Sequence, residues 1–163
     1  MSKHKEEKTN VMRVLEQKKI AYTAHTYPHE EGMAVDGVTV AKSMGFDPAI
    51  VFKTLVARGA SKQYYVFDVP VAENLDLKKA AKAVGEKSIE MIHQKELLPL
   101  TGYVHGGCSP VGMKKLFPTV FHSSAENLAA MIVSAGKIGY QVELAPHDLA
   151  ALVRAKFADI IVE

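Results

Sequence analysis

The sequence predicts a mixed α+β or α/β fold: a single domain built on a partly closed, mostly antiparallel sheet surrounded by helices. Three observations predict it. Short β-rich runs recur at 22–27, 50–56, 63–69, 88–92, 119–122, 131–134, 139–144 and 160–162. Short capped helical stretches fall between them, without the regular alternation of a parallel βαβ array. The chain has 163 residues, 48% of them hydrophobic, which suits one core. No repeat, low-complexity tract or linker divides it. The expected division is a polar tail over 1–8 and one domain over 9–163.

Each element has a local reason. Thr9 or Asn10 caps a helix whose apolar side is Val11, Val14 and Leu15. Pro28 stops the strand 22–27. Residues 29–37 read as an acidic, glycine-containing loop, and 38–44 as a helix ended by Gly45. Asp47-Pro48 opens a brief helix. The strands 50–56 and 63–69 form a hairpin across a turn at 58–61. Asp76 caps a helix over 77–84 that Gly85 ends, and Lys78, Lys79 and Lys82 give it a solvated face. A short helix over 94–98 precedes Pro99, and a helical turn is expected at 126–130. The strands 131–134 and 139–144 join through 135–137. Pro146 opens a last helix with Leu149, Leu152 and Val153 inward, and 160–162 closes the fold as a strand.

The net charge of +2 gives no support for a broad duplex-binding face, though contact with one end of a nucleic acid fits it. Cys108 is the only cysteine, so there is no internal disulfide and no cysteine-built zinc site. No signal-peptide segment and no apolar run near the ~20 residues of a membrane span is present, so a cytoplasmic protein is expected.

Two places attract chemistry. Lys53 stands in the apolar run Val51-Phe52-Lys53-Thr54-Leu55-Val56. Lysine is depleted from such strands. One reading is an edge lysine that snorkels to water. The other is an ammonium aimed into a pocket at a phosphate or oxyanion. The second place is 102–112, with four glycines and Pro110. It is either a tight bend or a set of bare amides able to hold an anion. It is neither a Walker loop nor a dinucleotide fingerprint. The seven histidines are scattered without metal-type pairing, Cys108 shows no neighbouring base, and no serine elbow exists.

Several segments taken in order carry a resemblance: His25-Thr26-Tyr27, Phe52-Lys53-Thr54-Leu55, Leu77-Lys78-Lys79-Ala80-Ala81-Lys82, Gly102-Tyr103 with Gly106-Gly107-Cys108-Ser109-Pro110-Val111-Gly112, Val133-Ser134, Gly136-Lys137 and Val142-Glu143-Leu144-Ala145-Pro146. They resemble the YbaK/EbsC family of free-standing aminoacyl-tRNA deacylases, related to the editing domain of bacterial prolyl-tRNA synthetases. The likeness runs from Val11 to Val162.

The resemblance implies an enzyme that removes cysteine wrongly attached to tRNA(Pro), with no metal or cofactor. It implies that Lys53 is the key active-site lysine and that Gly106 and Gly107 form the loop contacting the ester. Tyr27, Ser134 and Ser109 become substrate contacts. It also implies a mechanism in which the substrate's own thiol attacks its ester. An alanyl-tRNA(Pro) hydrolase is the alternative, and an idle binding module the rival from another class. The implied partners are the tRNA(Pro) acceptor end and prolyl-tRNA synthetase. Two departures stand out: cysteine at 108 where relatives are usually apolar, and Ala135 where a second glycine is common, which is expected to constrain the backbone and narrow the pocket.

Overall fold

The computed structural model describes residues 8–30 and 32–163. Residues 1–7, most of the expected polar tail, lie outside the described residues; Lys8 pairs with Glu16 at 3.0 Å.

Thr9 accepts a hydrogen bond from Met12 N and starts α1 (Asn10–Gln17), which buries Val11, Met12 and Leu15. Next come β1 (Thr23–Thr26) and α2 (Gly37–Ser43), the latter capped by Asp36. A 3-10 turn at Pro48–Ile50, capped by Asp47, leads into β2 (Phe52–Gly59). The hairpin partner is β3 (Tyr64–Pro70). Then follow α3 (Leu77–Val84) between Asp76 and left-handed Gly85, and β4 (Ile89–Met91). The second half holds α4 (Gln94–Thr101), β5 (Thr119–His122), β6 (Met131–Ser134), β7 (Tyr140–Leu144), α5 (Pro146–Val153) and β8 (Ala155–Ala158).

The strands form a five-stranded sheet, β4-β2-β3-β5-β8, and a three-stranded sheet, β1-β7-β6. Four ladders are antiparallel; β3–β5 and β5–β8 are parallel. The mixed, mostly antiparallel expectation therefore holds, with five helices around two sheets. Val56, Val66 and Phe121 on one face of the larger sheet pack with Met131, Val133, Val142 and Leu144 of the smaller one and with α1 and α5. On the other face, Ala57, Phe67, Val69 and Val120 pack with Ala80 and Ala81 of α3.

Several elements differ from expectation. The last strand is β8, not 160–162. Phe157 packs on Phe121 at 6.0 Å between ring centres, and Ile161 keeps only a bridge to Leu75. The helix α4 runs through Pro99 to Thr101. Proline there removes only its own bond to the preceding turn, while Thr101 Oγ1 donates to Leu97 O and Gly102 N donates to Leu98 O. The helical turn of 126–130 lies earlier, as a 3-10 turn at Ser123–Asn127. Of the three α3 lysines, Lys79 is not part of a free solvated face: its Nζ donates to Asp159 at 3.0 Å and to Ile161 O at 2.9 Å.

One contact positions the site. Val51 and Ile132 form a single parallel bridge that joins the two sheets. Just past it, Phe52, Lys53 and Thr54 of β2 and Ser134 at the end of β6 line the cleft.

Candidate active site

The cleft, ≈ 340 Å³, lies between β2, the end of β6, the start of α2 and the loop after α4. Its size falls in the ~300–1,000 Å³ range of small-molecule sites.

The strand β2 supplies the floor. Val71 N donates to Val51 O, and Gly59 N donates to Gln63 O. Hydrogen-bonded positions alternate along an antiparallel ladder, so between these two bonds Lys53, Leu55 and Ala57 spend their main-chain groups on β3. The amide and carbonyl of Thr54 therefore point to the other edge. On that edge β4 covers only Ala57–Gly59. The Thr54 main chain is thus uncovered by a strand and borders the cleft. Lys53 and Thr54 leave β2 on opposite faces, and both line the cleft because it wraps this open edge.

Lys53 is half-buried. Desolvation pulls its pKa below the usual lysine range, and the negative charges of Asp36 and Glu73 oppose that pull. Asp36 accepts from Val38 N, Thr39 N and the Thr39 hydroxyl, so it caps α2 and faces the lysine at once. The Thr39 hydroxyl, followed by these amides, holds its carboxyl below the ordinary range.

Of the residues singled out from the sequence, Lys53, Tyr27, Gly106 and Ser134 line the cleft. Gly106 has φ +89°, and a Cβ on it would stand 2.7 Å from Ala34 Cβ, so only glycine fits there. Gly107 stands behind the wall: its amide donates to Val104 O, and its α-carbon backs onto Ile138 N. Ser109 is fully buried, and its hydroxyl accepts from Val111 N. Ser134 Oγ accepts from Gly136 N.

Cys108 also lines the cleft at 8% exposure. Burial, followed by the charge of Asp68, pushes its thiol up to about 12, so it stays protonated and is a poor nucleophile. Ala135 is fully buried in the main core and does not line the cleft, so it does not narrow it. The turn is taken instead by Gly136 at φ +93°.

Sequence reasoning missed four polar groups. Thr54 sits beside the lysine it did single out. Gln141 is 7% exposed on β7, lines the cleft, and its Oε1 has no partner among the described residues. Asp36 was read only as part of an acidic loop. Asp68 interrupts the apolar strand 64–70 as Lys53 interrupts β2, and that was the available signal. Among the described residues, no group of three or more His, Cys, Asp or Glu is placed to hold a metal.

The aminoacyl-tRNA editing domain model matches residues 29–152, most of the chain and all of the cleft lining except Tyr27. The chain belongs to the aminoacyl-tRNA editing family. A protein of Enterococcus faecalis named as the Cys-tRNA(Pro)/Cys-tRNA(Cys) deacylase EbsC is 45% identical over 161 residues, covering 98% of each chain. A solved structure described as a trans-editing enzyme for prolyl tRNA synthetase superposes with TM-score 0.79 at 24% identity, over 94% of this chain and 95% of that one. A hypothetical protein, APE2540, gives TM-score 0.82 at 18% identity, over 93% and 99%. These two likenesses speak to the fold of this editing-family member.

Proposed function

We propose that this editing-family protein is a trans-acting deacylase that frees cysteine from Cys-tRNA(Pro) by attack of the substrate's own thiol on its ester. One observation carries the reading. The cleft combines a half-buried ammonium with an open strand edge and the Gly106 bend, while its own thiol is held protonated. A site without a ready cysteine nucleophile suits a substrate that brings one. The 45% identical Enterococcus protein carries the matching name.

In this reading Lys53 grips the terminal adenosine or its phosphate and holds the ester in register. Tyr27 and Ser134 flank the amino acid. Main-chain amides at the edge of β2 and at Gly106 face the carbonyl oxygen as it becomes an oxyanion. Folding the thiol onto its own carbonyl supplies roughly 7–11 kcal/mol of barrier reduction through orientation. Each well-aimed donor adds about 3–4 kcal/mol. The thiol sulfur bonds to the carbonyl carbon, the ribose oxygen leaves and takes a proton, and a thiolactone and free tRNA result. The partner is the acceptor end of tRNA(Pro). A complex with prolyl-tRNA synthetase supplies the specificity that a net charge of +2 does not, and the site of action is the cytoplasm.

Release is measured from cysteinyl-, S-alkylated cysteinyl- and alanyl-tRNA(Pro). The expected order is rapid release of cysteine and slow release of the other two. Equal rates for native and alkylated cysteine refute thiol attack, and preferential release of alanine favours the alanyl hydrolase.

A further inference from the structure

The structure places one charged group where neither the family likeness nor the cleft lining accounts for it. Asp68 lies in the middle of β3 at 0% exposure. Its register partner on β2 is Thr54, and Thr54 Oγ1 donates to Asp68 Oδ1 at 2.5 Å. Asp68 Oδ2 has no partner among the described residues. No cation among them compensates this carboxyl. The Cys108 thiol faces it from the loop after α4, and Phe121 stands opposite it on β5. Burying a carboxylate with one oxygen unsatisfied is costly, and an apolar residue of similar size would fit a strand interior better. The pairing with Thr54 gives a reason for its presence, because Thr54 lines the cleft and Asp68 stands behind it.

We propose that Asp68 and Thr54 form a two-residue proton relay, with Thr54 touching the substrate and Asp68 acting through it as a positioning residue and proton store. This rests on the deacylase reading above. While Asp68 is ionised, the Thr54 proton is committed to Oδ1, which leaves the lone pairs of Oγ1 for a donor in the cleft. The substrate's S–H is such a donor. As the thiol proton passes to Thr54 Oγ1, the Thr54 proton passes to Asp68 Oδ1, and the sulfur bonds to the ester carbon. When the carbon–oxygen bond to the ribose breaks, the same chain runs backwards. Asp68 returns its proton to Thr54, and Thr54 protonates the departing ribose oxygen. Protons and electron pairs balance, and both side chains end as they began.

The relay also needs a base that is ionised near neutrality yet basic enough to hold a proton. Burial raises the Asp68 carboxyl to about 7, opposed only by the Thr54 hydroxyl. General bases work best with a pKa near the working pH.

The test compares wild type, Asp68→Asn, Thr54→Val and Thr54→Ser on cysteinyl- and alanyl-tRNA(Pro), as kcat and KM from pH 5.5 to 8.5. Asn keeps the acceptor for Thr54 and the shape, but not the base. The expected result is a kcat lower by about 10²–10⁴-fold for Asp68→Asn and Thr54→Val, with KM little changed. Wild-type kcat should rise through a limb near pH 7 that is absent in Asp68→Asn and retained in Thr54→Ser. A merely structural Asp68 would leave the limb in place. An Asp68→Asn enzyme within about threefold of wild type, or one with an unchanged limb, overturns the relay. If Asp68→Asn fails to fold, Thr54→Val decides the question: loss of both kcat and the limb supports the relay, and a kcat within about threefold of wild type overturns it. If wild type cleaves only the alanyl ester, the thiol reading fails while the relay is judged on that ester, with water as the proton donor. If it cleaves neither, both fail.

Discussion

Replacing Asp68 by Asn should stabilise the protein in alkaline solution and leave it nearly unchanged in acid. The carboxyl rises from an ordinary 3.8 to about 7 on folding, because burial penalises its charged form. Between those values the folded state holds a proton that the unfolded chain has released. Stability from this group is therefore greatest below pH 4 and is lost as pH climbs to 7. A shift of about three units, at about 1.36 kcal/mol each, is worth about 4 kcal/mol in full. Between pH 5 and pH 8 the accessible part is roughly 3 kcal/mol. For a chain of this size that is roughly 5–10 °C in Tm. The assay is urea or thermal unfolding of wild type and variant at pH 5, 6, 7 and 8. The quantity read is the difference between the two proteins, so that other titrating groups cancel. The variant should gain on the wild type steadily from pH 5 to pH 7, then hold its lead. A difference that stays constant within about 0.5 kcal/mol across this range would refute the argument that the charge is buried without compensation.

Three other outcomes follow from the cleft. Lys53→Ala should abolish most deacylation, and Lys53→Arg should rescue little of it, because a planar fork does not replace a compact ammonium in a half-buried seat; parity of Arg with Lys in single-turnover assays would contradict this. Gly106→Ala should cost about 1–2 kcal/mol in backbone strain and push the bend away from Ala34, lowering kcat by roughly 100-fold. Gly85→Ala, equally left-handed at φ +75° but with nothing within 4 Å, should lose comparable stability and keep kcat. Binding limited to the acceptor end should show a shallow salt dependence, with a log–log slope of magnitude well below the ~10 of a large duplex binder, read by filter binding across salt.

Much of the frame was legible because it is locally encoded. Thr9, Asp47 and Asp76 each accept hydrogen bonds from the first amides of their helices. Lys53 was legible as a charge in an apolar strand. The strand β8 was not, because its four residues Ala155–Ala158 show no alternation and owe their pairing to β5, more than 30 positions earlier. Within β5 all four residues are buried, the pattern of a central parallel strand and not of a half-exposed antiparallel one. The Asp68–Thr54 pair depends on hairpin register, which fixes which side chains meet across the strands. The burial of Gly107 and Ser109 depends on how the loop folds back on itself, and nothing in its composition distinguishes the glycine that faces the cleft from the one behind it.

The Val51–Ile132 bridge acts as a pivot with a short arm. Lys53 and Ser134 each lie two residues past it, about 6.6 Å along the strand at ~3.3 Å per residue. If the two sheets flexed by about 10° around this point, either residue would be displaced by only about 1 Å, whereas the far end of β2 at Gly59, eight residues out, would swing roughly four times as far. Breathing of the molecule is thus felt least where Lys53 and Ser134 line the cleft.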